Sequence, residues 1–257
     1  MKTNLSRLLF LTVILLSTAA SAFATKNQYY YQLKVYHLKT SAQEVMVDDY
    51  LKDAFLPALH RAGINSVGVF KPIAKDTVEQ LVYVFIPFKK IDDFAKLNET
   101  LSKDKEYLKA GASYLNAEYN ATPYTRIEST LLKAFSAMPE FAAPNFNSPK
   151  SERVYELRSY ESATEALATN KIGMFNDYEV DIFSKLNFNA VFYGQVISGS
   201  KMPNLMYLTT FKNKADRDQH WVDFGAEYKK ISGLPQYQHN VSKNVTLFLY
   251  PTAYSDF

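Results

Sequence analysis

The sequence contains no cysteine and only eight glycines among its 257 residues. Without cysteine the chain can form no disulfide scaffold, no thiolate metal site and no cysteine nucleophile. It also lacks the G-x-S-x-G motif of serine hydrolases and any glycine-rich phosphate loop. Aromatic residues are abundant instead, with 19 Tyr and 18 Phe, and a hydrophobic content of 47% indicates a folded chain with a substantial core.

Histidine is also scarce, and its spacing does not indicate a metal site. No two of the four histidines stand two or four positions apart, and there is no H-E-x-x-H motif. We therefore predict no metal site and no cofactor, and interpret the histidines either as surface residues or as residues that support neighbouring side chains from behind. Haem held by a single axial histidine is the alternative that the spacing leaves open. The four are His37, His60, His220 and His239.

Residues 1–24 have the pattern of a cleavable secretory signal peptide. Lys2 and Arg7 flank the start of an apolar run from Leu8 to Leu16, and small residues with two overlapping A-x-A sites follow. The run is shorter than the roughly 20 residues that a membrane-spanning helix needs. We therefore predict a periplasmic or secreted protein with no transmembrane segment in the mature chain.

Cleavage of this segment also lowers the net positive charge of the chain. Residues 1–24 contain two basic residues and no acidic one, so their removal lowers the formal net charge from +3 to +1. The rest of the sequence has no dense block of Lys and Arg, and residues 103–106 alternate in sign. Phosphate backbones require clustered positive charge, so we predict no nucleic-acid partner.

Two segments recur at an offset of 124 residues, which indicates a tandem repeat. Residues 32–37 resemble 156–161, and residues 80–84 resemble 204–208. Three prolines at positions 139, 144 and 149 interrupt the chain between the copies. We predict a first domain at residues 25–135, a linker at 136–152 and a second domain at 153–257.

Hydrophobic periodicity predicts the same order of elements, βαββαβ, in both copies. This order is that of the ferredoxin-like fold, so the predicted class is α+β. For the first copy we predict strands at 29–37, 66–72, 80–87 and 125–135, with helices at 43–62 and 91–117. For the second we predict strands at 154–160, 188–197, 204–211 and 245–250, with helices at 163–186 and 214–231. Pro57 is expected to kink its helix.

Each ferredoxin-like unit has helices on one sheet face, so its other face must be covered. Two tandem units can cover these faces internally, sheet against sheet, as a pseudo-dimer of the α/β-barrel type. Strand alternation puts Leu33 and Leu157 on one face, which we place under the helices. Glu156, Arg158 and Tyr160 then face the other way, toward a partly polar barrel interior.

Several ordered motifs in the second copy resemble the NIPSNAP family in its exported bacterial, two-domain form. They are Tyr155-Glu-Leu-Arg-Ser-Tyr160, Asn170-Lys-Ile-Gly-Met-Phe-Asn176, Phe192-Tyr-Gly-Gln195, Met202-Pro-Asn-Leu-Met-Tyr207, Arg217-Asp-Gln-His-Trp221 and Pro251-Thr-Ala-Tyr-Ser255. The resemblance implies a dimeric α/β barrel, and hence that two chains can associate as a homodimer. It implies no established reaction.

The candidate site residues lie on the predicted strands. Glu156 and Arg158 are two positions apart and share a strand face, which indicates either a structural ion pair or the lining of a ligand cleft. Three tyrosines of the second copy and one of the first are candidates to join them. They are Tyr160, Tyr193, Tyr207 and Tyr36. Glu179 and Asp181 are interpreted as a solvated helix edge.

Two functions from different classes remain open at this point. The first is a binding or structural module whose barrel holds a small apolar or aromatic ligand, which follows from the aromatic content and the absence of a catalytic motif. The alternative is a cofactor-independent monooxygenase- or isomerase-like enzyme, with Glu156, Arg158 and the tyrosines as acid–base groups. A structure without a cavity beside Arg158 and Tyr160 would contradict the enzyme hypothesis.

Overall fold

Eight strands close into a barrel in the computed structural model, which describes residues 27–74 and 78–257. The first half contains β1 Tyr30–Leu38, α1 Ser41–Tyr50, α2 Leu56–Arg61, β2 Gly68–Pro72, β3 Gln80–Phe88, α3 Ile91–Ser102, α4 Lys105–Ala110, α5 Ala112–Leu115 and β4 Arg126–Ala134. The second contains β5 Val154–Glu161, α6 Glu165–Met174, α7 Val180–Lys185, β6 Phe192–Ser198, β7 Asn204–Phe211, α8 Lys214–Ser232, a 3-10 turn at Pro235–Tyr237 and β8 Lys243–Pro251. The predicted signal peptide lies outside the described residues.

The strand order around the barrel is β1-β3-β2-β8-β5-β7-β6-β4, and all neighbours are antiparallel. Each half contributes four consecutive strands, and the β2–β8 and β4–β6 pairs join the halves. The predicted mixed helix and strand content is confirmed, in the form of an antiparallel barrel. Closure leaves no sheet edge open to pairing with another chain. Within the described residues, no helix has the length and apolarity needed to span a membrane.

The orientation of the strand faces is the reverse of our prediction. Leu33 and Leu157 point into the barrel, where they pack with aromatic residues from both halves. Glu156, Arg158 and Tyr160 point outward instead, beneath the helices. Side chains alone fill the interior of an eight-stranded barrel, so its inward positions favour apolar residues over unpaired charges. The aromatic residues of this interior are Tyr31, Phe70, Phe85, Tyr155, Phe192 and Phe257.

The first helix of each half contains one π-helical turn, at Leu51–Phe55 and at Phe175–Glu179. The two turns are separated by the same 124 residues as the sequence repeat. Pro57 directly follows the first turn, where we expected a kink, but Asp181 stands at the corresponding position of the second half. The proline is therefore not the common cause of the irregularity. A π-turn lets the helix shift register by one residue, and such turns are frequent at functional sites.

The aligned tyrosines of β3 and β7 do not occupy equivalent positions. Tyr83 pairs across β1–β3 with Val35 and points into the barrel, whereas Tyr207 pairs with Arg158 and points outward. A shift of one residue moves a side chain to the opposite face of a sheet. The repeat match of 80–84 with 204–208 is therefore one residue out of structural register, while Tyr36 and Tyr160 both face the helices.

One end of the barrel is filled by aromatic residues from outside the strands. Phe257 and Phe141 both contact Phe85, the former from the C-terminal segment and the latter from residues 136–152, which contain no helix or strand. Gly68 faces this packing, because a Cβ atom there would stand 2.5 Å from the Phe70 ring. This end of the barrel is closed.

The C-terminal segment also bonds to the first half. The Asp256 carboxylate accepts hydrogen bonds from the Val67 amide at 2.7 Å and from His60 Nε2 at 2.9 Å. Asp256→Ala leaves the Val67 amide without this acceptor, and we expect it to lower the free energy of unfolding by about 1–2 kcal/mol. Urea unfolding measures this loss. Asp53→Ala, at an exposed helix position, is the control, and equal values for both variants would contradict the assigned role.

Candidate ligand-binding cavity

The open end of the barrel contains a cavity of about 230 Å³, here called the barrel-end cavity. Inward-facing residues of both halves line it, so neither half encloses it alone. Its apolar lining consists of Leu33, Val35, Leu81, Leu157, Val196, Met206, Val245 and Leu247. Such a mostly apolar hollow with a few convergent polar groups is the usual form of a small-molecule site.

Strand ends determine which residues reach this cavity. Side chains alternate across a strand, so the inward positions of β1 run from Tyr31 at the closed end to His37 at the open end. The same alternation brings Glu128 of β4 and Asn204 of β7 to the open end. These residues are far apart in sequence, and only the closed barrel places them around one space.

The wall of the barrel-end cavity that the first half supplies contains ionisable side chains. His37 Nδ1 lies 2.9 Å from Glu79 Oε2, and His37 Nε2 lies 3.5 Å from Glu128 Oε1. Tyr83 stands on the neighbouring strand, where burial, with further contributions from Glu128 and Glu79, raises its pKa to about 12. Tyr83 is therefore a neutral phenol near neutral pH. His37 is largely buried, whereas both carboxylates are partly open to solvent.

The second half supplies a neutral polar wall and one cation at the rim. The Ser159 hydroxyl and the Asn204 side-chain amide are buried and hydrogen-bonded to each other, with heavy-atom distances of 2.9–3.1 Å. Ser200 and Lys201 line the mouth from the turn between β6 and β7. These two positions fall between the predicted strands 188–197 and 204–211, where the sequence contained no indication of a cavity.

A second, larger depression of about 530 Å³ lies on the first half alone. Residues 62–66 and the Lys89–Thr100 region border it, together with Tyr29 and Phe141. It is a surface groove at the closed end of the barrel. The barrel-end cavity is the better candidate because it combines apolar walls from both halves with buried polar groups.

Several of the site residues predicted from the sequence lie together outside the barrel-end cavity. We call this group of hydrogen-bonded residues the Glu156 network. Glu156 is fully buried and accepts hydrogen bonds from Arg158 Nε at 2.6 Å and from Trp221 Nε1 at 2.8 Å. Arg217 of α8 binds both oxygens of the same carboxylate, at 2.7 and 3.0 Å. The predicted ion pair of Glu156 and Arg158 is thus present, and it lies between the sheet and α8.

Two of the predicted tyrosines extend this network. Arg158 Nη1 donates to the Tyr160 hydroxyl at 3.1 Å, and the Tyr160 and Tyr207 hydroxyls are 2.8 Å apart. The Arg158 guanidinium also stacks on the Trp221 ring, with its carbon 3.6 Å from the ring centroid. Burial raises the pKa of Tyr207 well above its usual value, so this phenol stays protonated.

The remaining predicted tyrosines are core residues. Tyr193 is buried in the same apolar cluster as Tyr207, and burial raises its pKa as well. Tyr36 belongs to the separate helix-facing cluster of the first half, where burial again raises its pKa. The barrel-end cavity includes none of Glu156, Arg158, Tyr160, Tyr193, Tyr207 and Tyr36.

The sequence prediction missed a buried ion pair in the second half. Lys171 Nζ lies 2.5 Å from Glu179 Oε1, and each side chain is only 4% exposed. The interpretation of Glu179 as a solvated helix edge is wrong, whereas Asp181 is exposed as expected. The signal was the position of Lys171, four residues before Phe175 on the apolar helix face.

Opposing effects act on this buried pair. Burial raises the pKa of Glu179, and the Lys171 ammonium opposes that shift. Burial alone would lower the pKa of Lys171, but the Glu179 carboxylate outweighs it and raises that pKa. We infer an ionised pair, because each charge is the direct partner of the other. It joins α6 to the π-turn that follows it.

The two sets of residues differ in what they can do chemically. The Glu156 network consists of groups bonded to one another in the packed layer beneath α8, an arrangement that stabilises the fold. The barrel-end cavity instead places polar side chains beside an apolar hollow. Among residues 27–74 and 78–257, no group of three or more His, Asp and Glu side chains is placed to hold a metal ion.

Solved structures with the same fold include two bacterial candidate monooxygenases. The one from Fusobacterium nucleatum subsp. nucleatum ATCC 25586 is 8% identical, with a TM-score of 0.55 and coverage of 87% of this chain and 92% of that chain. The one from Lactobacillus acidophilus NCFM is 10% identical, with a TM-score of 0.52 and coverage of 87% and 94%. At these identities the likeness shows the fold alone.

The family comparison concerns the second half of the chain. A NIPSNAP family protein of unknown function from Agrobacterium tumefaciens str. C58 is 17% identical over 42% of this chain and 95% of that chain, with a TM-score of 0.35. No curated protein matches the chain. The NIPSNAP family model matches residues 155–256, which contain all of the motifs that carried the resemblance. This match identifies residues 155–256 as a NIPSNAP domain.

Proposed function

We propose that this protein binds a small apolar or aromatic molecule in the barrel-end cavity. The observation that carries the proposal is a cavity of about 230 Å³ with apolar walls and polar groups at its open end. An engineered apolar cavity of about 150 Å³ holds benzene, and drug-sized sites occupy about 300–1,000 Å³. A ligand with one ring or a short chain therefore matches the volume.

We also propose that the barrel is built from two tandem ferredoxin-like units. The first half has the strand order β4-β1-β3-β2 and the second has β8-β5-β7-β6, which is the same order within each βαββαβ set. The first strand and first helix of each half begin 124 residues apart, as do the two π-turns. These correspondences support a pseudo-dimer within one chain, with the ligand between its units.

The protein is proposed to act outside the cytoplasm, in the periplasm or as a secreted protein. The signal pattern of residues 1–24 supports this proposal. Amino-terminal sequencing of protein recovered from the periplasm and the medium tests it. Cleavage after Ala22 or Ala24 is expected, and an intact Met1 would contradict it. Light scattering tests the homodimer implied by the family resemblance.

The alternative function, an enzyme that uses Glu156 and Arg158 as acid–base groups, has less support than ligand binding. Both groups are engaged in the Glu156 network, and the barrel-end cavity does not reach them. Burial raises the pKa of the neighbouring Tyr193 and Tyr207 phenols. Both therefore stay protonated near neutral pH and cannot act as bases. We therefore place binding ahead of catalysis.

Filling the cavity tests the proposed function. Met206→Trp adds an indole to the cavity wall and should abolish binding of single-ring probes such as benzyl alcohol, measured by ligand-observed NMR. A probe at about 100 times its Kd stabilises a protein by about 2.7 kcal/mol, so the thermal shift should disappear with the binding.

Met202→Trp is the matched control, because Met202 is 52% exposed and is not part of the cavity wall. This variant should bind the probe like the unmodified protein. Circular dichroism checks that both variants fold. Equal binding to both variants would contradict the proposed site, as would the absence of binding by the unmodified protein.

A further inference from the structure

The polar atoms at the barrel-end cavity are unequally distributed between donors and acceptors. The argument here rests on the proposed function, because it concerns which ligand the same cavity prefers. His37 Nε2 is buried and has no hydrogen-bond partner, and the Glu128 carboxylate lies 3.5 Å from it. That distance is too long for a hydrogen bond between them.

The other ring nitrogen of His37 determines what Nε2 can do. Nδ1 lies 2.9 Å from the Glu79 carboxylate, which can only accept a hydrogen bond, so Nδ1 carries the proton. In the neutral ring this assignment leaves a lone pair on Nε2. The wall therefore presents two neighbouring acceptors, His37 Nε2 and Glu128, and a ligand must supply the donor.

The charges around this wall further restrict which ligands the cavity can bind. Glu128 lines this wall, and Glu79 lies next to it, 2.9 Å from His37 Nδ1. The Tyr83 phenol on β3 adds no positive charge, and the Lys cation among the lining residues is Lys201, which is exposed on the turn of the opposite half. Water screens Lys201 and the partly exposed carboxylates alike, and the two carboxylates outnumber the one ammonium group.

We propose that the barrel-end cavity selects small primary amines with an apolar body, such as an aromatic or short alkyl ammonium ion. The ammonium donates to Glu128 and to His37 Nε2, and the apolar body lies against Leu157 and Met206. A neutral alcohol of the same shape can donate one hydrogen bond without the charge. A carboxylate of the same shape has no donor and is repelled by Glu128.

A matched series of single-ring probes tests this selection near neutral pH. Benzylamine, benzyl alcohol and benzoate share one ring and differ in the charge and hydrogen-bonding of the head group. Hydrogen bonds between charged partners exceed neutral ones by enough to change affinity about tenfold. Isothermal titration should therefore give benzylamine about tenfold tighter binding than benzyl alcohol, with no detectable binding of benzoate.

Substitution of the acceptor Glu128 tests whether this wall is the cause of the preference for amines. Glu128→Gln should reduce the tenfold preference for benzylamine over benzyl alcohol to less than about twofold, because the amide oxygen still accepts a hydrogen bond from either probe but carries no charge. Glu128 is 45% exposed, so the variant is expected to fold, and circular dichroism checks this. Glu152→Gln makes the same change at an exposed carboxylate outside the cavity lining; it is the control and should retain the preference for the amine.

The possible outcomes separate this inference from the proposed function. If benzyl alcohol binds and benzylamine binds no more tightly, the selection of amines is wrong and the binding function stands. The same conclusion follows if Glu128→Gln leaves the ratio of affinities unchanged. If none of the three probes binds, the binding function itself fails, and the inference fails with it.

Discussion

Glu156→Ala should lower the free energy of unfolding by about 3–5 kcal/mol, the usual cost of removing one partner of a buried ion pair. Glu156 is fully buried and accepts four hydrogen bonds from Arg158, Arg217 and Trp221. Its loss leaves two guanidinium groups without their shared carboxylate in a mostly buried layer. Urea unfolding followed by tryptophan fluorescence measures the effect, because Trp221 belongs to the network.

A double-mutant cycle with Arg217→Ala separates the interaction from simple truncation. Since both groups meet in a bidentate pair, their measured coupling should exceed about 1 kcal/mol. Glu152→Ala is the control, because this exposed carboxylate lies two residues before β5 and outside the network. A loss below 1 kcal/mol for Glu156→Ala would show that the network contributes little to stability.

Lys171→Met should have a comparable effect, a loss of about 3–5 kcal/mol, for a different reason. The substitution keeps an apolar stem but leaves the Glu179 carboxylate buried without its cation. Adding Glu179→Leu removes the unpaired charge, and the double variant should recover most of the lost stability. Lys185→Met is the matched control. Its partner Asp181 is exposed, so little or no change in stability is expected.

The deficit of Lys171→Met should also depend on pH. Burial raises the pKa of Glu179 in the folded protein, and loss of the opposing ammonium raises it further. A raised folded-state pKa gives stability that is present below the ordinary glutamate pKa of about 4.3 and is lost as pH rises through the folded value. The difference from the unmodified protein should therefore shrink toward acid pH. A pH-independent difference would contradict the buried charge.

The mixed helix and strand content could be predicted from sequence, but the strand faces could not. Both faces of these strands are covered, one by the barrel interior and the other by helices. A strand buried on both faces loses the simple alternation that distinguishes inside from outside. Leu157 and Arg158 therefore gave no decisive signal, because a charged residue with partners on α8 packs as well as an apolar one.

The Glu156 network could be predicted from the sequence more readily than the lining of the barrel-end cavity. Glu156, Arg158 and Tyr160 lie on one strand, and two-residue periodicity was enough to group them. Arg217 and Trp221 were noticed only as motif residues, since their contact with Glu156 depends on how α8 crosses the sheet. His37, Glu128 and Asn204 come from three strands and meet only after closure of the barrel.

Closure of the barrel within one chain has a consequence for its symmetry. Two identical chains related by a twofold axis would present the same residues on both sides of a shared cavity. Here the two sides are encoded separately, so one side carries His37 and Glu128 while the other carries Ser159 and Asn204. Because one gene encodes both walls of the cavity, each wall can change in evolution without the other, and dilution of the protein cannot separate them.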